Sequence, residues 1–203
     1  MITKPTKTTA RATPKTAHTL RVTLRGIEPE VWRRIVVHSE WKLDKVNFVL
    51  ESAMGWFGDH LHSFVANRVT YVSAQSSIGG FQSSRDERRE TTAKLSDVLP
   101  TVGSKLRWDY DFGDGWEHDV LCENITRRDV SALYPAVIDG ENACPPEDCG
   151  GPWGYGNFVG ALADPNHPDH EQLSEWFGGP FDPAHFDLAA HDGAVRRKAG
   201  SGW

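Results

Sequence analysis

The chain has 203 residues, 38% of them hydrophobic, with eight tryptophans and nine phenylalanines, enough for one core, since a domain of about 150 residues already buries roughly 70% of its unfolded surface. No apolar run approaches the ~18 residues of a membrane helix, and the opening MITKPTKTTARATPKTAHT lacks the apolar stretch of an export signal, so no membrane is expected as a partner and the cytoplasm is the expected compartment. The net charge of −6 is polarised: Met1 to Ile27 carry six basic and no acidic residues, whereas Asp129 to Val195 carry twelve Asp or Glu and no Lys or Arg, a body of the sign that repels a nucleic-acid duplex.

Residues 1–18 are rich in Thr, Lys and Pro without apolar periodicity and read as a disordered basic leader. The domain is expected over 19–195, with a short tail at 196–203. TLRVTLRGI alternates Leu20, Val22 and Leu24 with Arg21, Thr23 and Arg25, the period of a half-buried strand, and VWRRIVV reads as the next. KLDKVNFVLESAMGW spaces Leu43, Val46, Val49, Leu50 and Ala53 as a helix that stops at Gly55. HLHSFVANRVTYV reads as a hairpin turning at Asn67-Arg68, and the polar stretch 75–94 as a mobile surface loop. In KLRWDYDFGDGWEHDVLCENI, Leu106, Trp108, Tyr110 and Phe112 alternate with polar residues before Gly113-Asp114-Gly115 turns the chain back, predicting a hairpin in the middle of the sheet. NFVGALA and DHEQLSEWFG read as helices, and Asp182-Pro183 as the cap and first residue of another. Strands first and helices concentrated in the C-terminal third predict a single α+β domain with a mainly antiparallel sheet built from hairpins.

ACPPEDCGGPWGYG, residues 143–156, is the most informative stretch. A disulfide, a metal loop, an anion-binding turn and a rigid connector are all written with these letters. Three cysteines are an odd number, which favours free thiols or metal ligands over a disulfide scaffold. GGPWGYG is expected to be a tight loop packed under Trp153 and Tyr155, leading into a helix near Asn157; its other reading is a nest of N–H groups for an anion. The letters Asp111-Phe112-Gly113 match the kinase magnesium motif, but no glycine-rich phosphate loop or HRD precedes them, so they read as a hairpin turn.

On a regular strand Trp116, His118, Val120 and Cys122 share one face, and the same alternation places His60 and His62 together. Neighbouring strands then assemble His60, His62 and His118, to which Cys144 and Cys149 add thiolates: a mixed His/Cys site suited to zinc. Cys122 reads as a small buried thiol. Asp114 and Glu147 are the candidate general bases if such a metal activates water.

The ordered motifs VWRRIVV, AMGWFGDHLHSF, YDFGDGWEHDV, CPPEDCGGPWGY and FDPAHFDL together resemble the plasmid pRiA4b ORF-3-like family from about Thr19 to His191. The resemblance implies an α+β fold and no defined activity; members occur on plasmids and mobile elements, some labelled insertion-element passenger or TnpR-like, resolvase-like proteins. The positions that match the family motifs here include Trp32, Gly55, Trp56, His60, His62, Asp111, Asp114, Trp116, His118, Cys144, Glu147, Asp148 and Tyr155. The family pattern does not require a thiol at Cys149, which leaves Cys144 and the histidines as the better metal core. The arginine-lined nucleophile of a recombinase is not found: no Lys or Arg lies between Arg128 and Arg196.

Three functions follow as expectations. The first is a binding domain for a ligand or partner, with a metal at a cleft lined by the His/Cys cluster and the Gly-Pro loop. The second is a metal-dependent hydrolase at that cleft. The third is a nucleic-acid accessory protein making weak contact through residues 1–18.

Overall fold

A computed structural model describes residues 15–76 and 86–200. Its strands are β1 (Thr16–Leu24), β2 (Trp32–His38), β3 (His62–Ala66), β4 (Val69–Val72), β5 (Glu87–Arg89), β6 (Lys105–Tyr110), β7 (Trp116–Arg127) and β8 (Ala136–Glu141). The helices are α1 (Leu43–Met54), α2 (Leu95–Val98), α3 (Gly151–Ala163), α4 (His170–Phe177) and α5 (Leu188–Gly200). The strands form one open eight-stranded sheet in the order β5-β4-β3-β6-β7-β1-β2-β8, antiparallel except for β4–β5. This is the α+β architecture expected, with the β6–β7 hairpin at the centre.

The local rules explain most of it. Asn67 and Arg68 both take positive φ, 52° and 67°, as a two-residue hairpin turn requires. The β7 alternation buries Trp116, His118, Val120 and Cys122 against the core. Helix α1 packs on α5, which also lies on β8, and α1 ends at Gly55 with φ 93°, a left-handed stop that suits glycine.

Five expectations are corrected. Strand order begins at Thr16, within the segment read as a leader: His18 is buried and bonds Ser39 Oγ and the Leu99 carbonyl, both at 2.8 Å. Residues 1–14 lie outside the described residues. The segment read as a loop at 75–94 contributes β5, a 3-10 turn (Glu90–Thr92) and Lys94, the N-cap of α2, and Glu90 is held inside beside His62; residues 77–85 lie outside the described residues. GGPWGYG is not a loop but the first two turns of α3. Gly150 (φ 88°) precedes it, Pro152 occupies the first turn, and Trp153 points outward at 87% exposure. The last helix begins one turn late: Asp182 Oδ1 only closes a turn to Ala184 N, and Asp187 Oδ1 accepts from Ala190 N in its place. That helix continues to Gly200, so the segment read as a tail is helical over 196–200, while 201–203 lie outside the described residues.

The start of α3 is seated where no side chain fits. A Cβ on Gly151, which has φ 69°, would stand 2.2 Å from the Asp114 carbonyl oxygen. Gly151→Ala is therefore expected to destabilise by about 1–3 kcal/mol through the left-handed backbone alone, with the clash adding to that. Gly156→Ala, which meets nothing within 4 Å in the same helix, should be neutral or stabilising by up to about 1 kcal/mol. Urea unfolding of both variants checks the contrast.

Candidate functional site

The segment Ala143–Asp148 forms one wall of a cleft of about 620 Å³. The end of α1 and the turn after it also line the cleft, from Met54 to Phe57 with Asp59 and His60; Trp176, Phe177 and Phe181 supply aromatic rings, and His185 and His191 complete the lining.

The 143–148 wall is held by the protein's central aromatic residues. Trp56 stacks on Tyr110, ring centroids 4.8 Å apart and planes at 9°, and its indole N–H donates to the Pro145 carbonyl at 2.9 Å. The Tyr110 hydroxyl donates to Glu147 Oε1 at 2.5 Å, while the Phe57 N–H donates to Oε2 at 3.0 Å. Burial, followed by the Glu147 charge, raises the Tyr110 phenol far above its ordinary pKa, so it remains a donor. Asp114 Oδ2 accepts from the Gly150 N–H at 3.1 Å. The anion at the mouth of α3 is thus the chain's own carboxylate, and the two candidate bases, Asp114 and Glu147, serve as struts.

The five expected metal ligands do not assemble. His118 is fully buried; its Nδ1 faces the Trp108 carbonyl at 3.2 Å, and Trp108 and Trp56 enclose its ring. The alternation that gave it a shared face made that face the core. His62 Nε2 meets Glu90 Oε2 at 2.8 Å. His60 lies before β3 starts, so strand alternation does not pair it with His62. Cys144 contacts Arg33 and Met54 rather than a histidine, and Cys149 lies beside the α3 start, where a Cβ on Gly154 would touch its carbonyl. All three cysteines are free. Burial lifts the Cys144 thiol to about 11, against the pull of Arg33, and burial lifts Cys149 to about 12; near pH 7 both are protonated.

Two groups were missed. Among the described residues, one set of three or more His, Cys, Asp or Glu brings its donor atoms within 4.8 Å of one another: His60, Asp111 and Asp148. His60 Nδ1 lies 3.5 Å from Asp111 Oδ2, and Nε2 lies 3.5 Å from Asp148 Oδ1. Both aspartates have positive φ, a backbone state that Asp tolerates better than most residues, and Asp111 Oδ1 simultaneously accepts from Gly113 N and Asp114 N. The second group centres on Arg33, wholly buried, with no carboxylate among its partners. Its guanidinium donates to the carbonyls of Trp32, Ala53 and Glu141, lies 3.2 Å from Cys144 Sγ, and covers the Phe186 ring at 4.4 Å. Its signal was present: Arg33 falls in phase with Ile35 and Val37 on β2.

Two basic residues just beyond the leader are already engaged. Arg21 pairs with Glu30, and Arg25 with Glu117 at 2.8 Å and Asp119 at 3.2 Å. No helix among the described residues is long and apolar enough to cross a membrane.

Burial holds His118 down at about 3 and His191 at about 4, in the latter case with help from Arg33. Each lies below the unfolded value of 6.5, so its contribution to stability is complete above pH 6.5 and lost progressively as pH falls through the folded value. Each can contribute a slope of at most about 1.4 kcal/mol per pH unit in that window. Glu51, raised by burial, acts in the opposite sense, so the test is a difference. The gap in unfolding free energy between wild type and His118→Phe should shrink steadily from pH 6.5 towards pH 4. A gap independent of pH would show that His118 is not held neutral.

Comparison with known proteins agrees with this architecture. A crystal structure titled a protein of unknown function, MM3350 from Methanosarcina mazei Go1, superposes with a TM-score of 0.76 at 31% identity, covering 87% of this chain and 98% of that one. An uncharacterised protein, y4hQ of Sinorhizobium fredii (strain NBRC 101917 / NGR234), is 39% identical over 180 residues, 89% of this chain and 88% of its own. The family described as plasmid pRiA4b ORF-3-like protein matches residues 16–190, and the chain belongs to that family.

Proposed function

We propose that the protein is a cytoplasmic ligand-binding protein whose site is the cleft between the α1–β3 turn and residues 143–148. The observation that carries this reading is that two separate sequence motifs, AMGWFGDH and ACPPED, come together to line one concave space. Its volume of about 620 Å³ is within the range of small-molecule sites. The chemistry of the lining favours a ligand with a flat apolar body against Trp176, Phe177 and Phe181 and a hydrogen-bonding head towards His60 and Asp148. Phe57, 78% exposed at the rim, adds apolar area that solvent otherwise faces.

A protein-observed NMR screen of aromatic fragments, repeated on Ala143→Phe to fill the cleft, tests this. Hits should move the Trp56 indole N–H resonance and lose at least about tenfold in affinity in the variant. Hits that bind both proteins equally would refute the cleft.

A second reading, metal-assisted hydrolysis at the same cleft, is favoured by one observation: the His60, Asp111 and Asp148 donors reach within 4.8 Å of one another. A nitrogen and two carboxylates suit zinc or manganese better than a thiolate-rich site would suit manganese. Elemental mass spectrometry on protein purified without an affinity tag separates the alternatives. About one metal equivalent lost in His60→Ala and kept in Cys144→Ser supports the carboxylate set. Loss in Cys144→Ser returns the His/Cys zinc site, and no uptake when zinc and manganese are offered ends the hydrolase reading.

A further inference from the structure

Behind His60 lies a second, smaller chamber of about 260 Å³. Asp59 and His60 line both it and the cleft, but its own walls come from α1, β3 and the 3-10 turn at Glu90. Among the described residues four carboxylates line it, Asp44, Glu51, Asp59 and Glu90, and no Lys or Arg does.

Glu51 is the unusual member. It is 2% exposed, and while its Oε1 accepts from Asn47 Nδ2 at 2.5 Å, its Oε2 is buried without a hydrogen-bond partner. Asn47 cannot turn to serve both oxygens, because its Oδ1 accepts the Trp108 indole N–H at 2.9 Å. Gly58, with φ 87°, packs close against Oε2: a Cβ there would lie 2.5 Å from it. A buried acceptor left unpaired is unfavourable, more so if charged, and Oε2 has no hydrogen-bond partner. Asp44 Oδ1 is likewise buried and unpaired. Glu90, by contrast, has His62 at 2.8 Å. The chamber therefore holds a surplus of acceptors that a cationic donor would satisfy.

The spacing decides which cation. Among the described residues these carboxylates do not bring three donor atoms within 4.8 Å of one another, too dispersed to wrap one metal ion. A molecule with separated N–H donors spans them, and Phe48, which also lines the chamber, offers a face to its methylenes or to an ammonium. Phe48 also neighbours an ammonium of the chain, Lys198 Nζ lying 5.2 Å from its ring centroid. Burial raises the Glu51 pKa, with Asn47, His62 and Lys198 opposing and Glu147 reinforcing, the state a bound cation would reverse. At ~30 Å³ per water-sized group, the space suits a ligand of roughly eight or nine non-hydrogen atoms. We propose that this chamber binds a small aliphatic cation carrying primary ammonium or guanidinium groups, with the Glu51 carboxylate as its principal partner. The proposal goes beyond the cleft reading and does not depend on it.

Isothermal titration of the full chain with putrescine and with agmatine tests the proposal, with uncharged 1,4-butanediol and Mg²⁺ or Mn²⁺ as controls. At least one of the two amines should bind with a Kd below about 1 mM. Glu51→Gln, which keeps size and shape, should weaken it at least about tenfold, as should Asp44→Asn, while Ala143→Phe in the cleft should leave it unchanged. Circular dichroism of each variant confirms folding, and Glu51→Gln should be at least as stable as wild type because it removes a buried acid. Silence of both amines, equal amine binding by Glu51→Gln, equal binding of butanediol, or Glu51-dependent binding of the divalent ions alone would each overturn the proposal.

Discussion

The structure turns on the docking of residues 144–151 against the central hairpin. That segment carries no regular structure of its own before Gly151, so its position depends on outside contacts. The hairpin provides them: Tyr110 reaches Glu147, the Asp114 carboxylate caps Gly150, and the Asp114 carbonyl occupies the space beside Gly151 that any side chain would claim. Trp56 completes the clamp from the end of α1, stacking on Tyr110 and bonding Pro145. One fixed segment thereby sets both the start of α3 and a wall of the cleft. Such a rigid frame lets a site be formed before a ligand arrives, which lowers the ordering cost of binding.

Two buried charges are handled in opposite ways around this frame. Arg33 is surrounded by carbonyl oxygens and a sulfur, each a satisfied partner, with a ring beneath it. Glu51, four residues along α1 from Asn47, keeps one oxygen with nothing to accept from. Native proteins satisfy the large majority of buried polar atoms, and the unpaired Glu51 oxygen is the observation on which the proposed cation site rests. The cleft and the acidic chamber meet at Asp59 and His60, so the turn after α1 borders two environments of different chemistry.

Much of the fold was legible because its signals are local. Alternation found β1 and β6, the Gly113-Asp114-Gly115 turn gave β7, helical spacing found α1, and Asn67-Arg68 marked a turn. The start of α3 was missed because glycines and a proline read as a loop, whereas here they let a helix begin against the Asp114 backbone, a contact no local pattern encodes. The candidate site was less legible. Spacing grouped His60, His62, His118, Cys144 and Cys149 by type, but partners far along the chain decided their roles: Glu90 took His62, the tryptophans enclosed His118, and Arg33 took Cys144. The missed signals were also periodic. Asn47 and Glu51 interrupt the apolar stripe of α1 at i and i+4, and Arg33 interrupts that of β2. A polar residue in phase with the core side of an element was a better pointer than a cluster of metal-binding letters.

The central claim is that the 144–151 segment is a fixed wall and not a loop that samples solvent. Amide hydrogen exchange followed by NMR at Gly150 and Phe57, whose N–H groups donate to Asp114 and Glu147, measures it directly in wild type and in Trp56→Phe, which keeps a ring but loses the indole N–H. The account predicts protection at both amides in the wild type, approaching that of the β6–β7 hairpin, and selective loss in the variant while the hairpin stays protected. Exchange at near-unfolded rates in the wild type would contradict it.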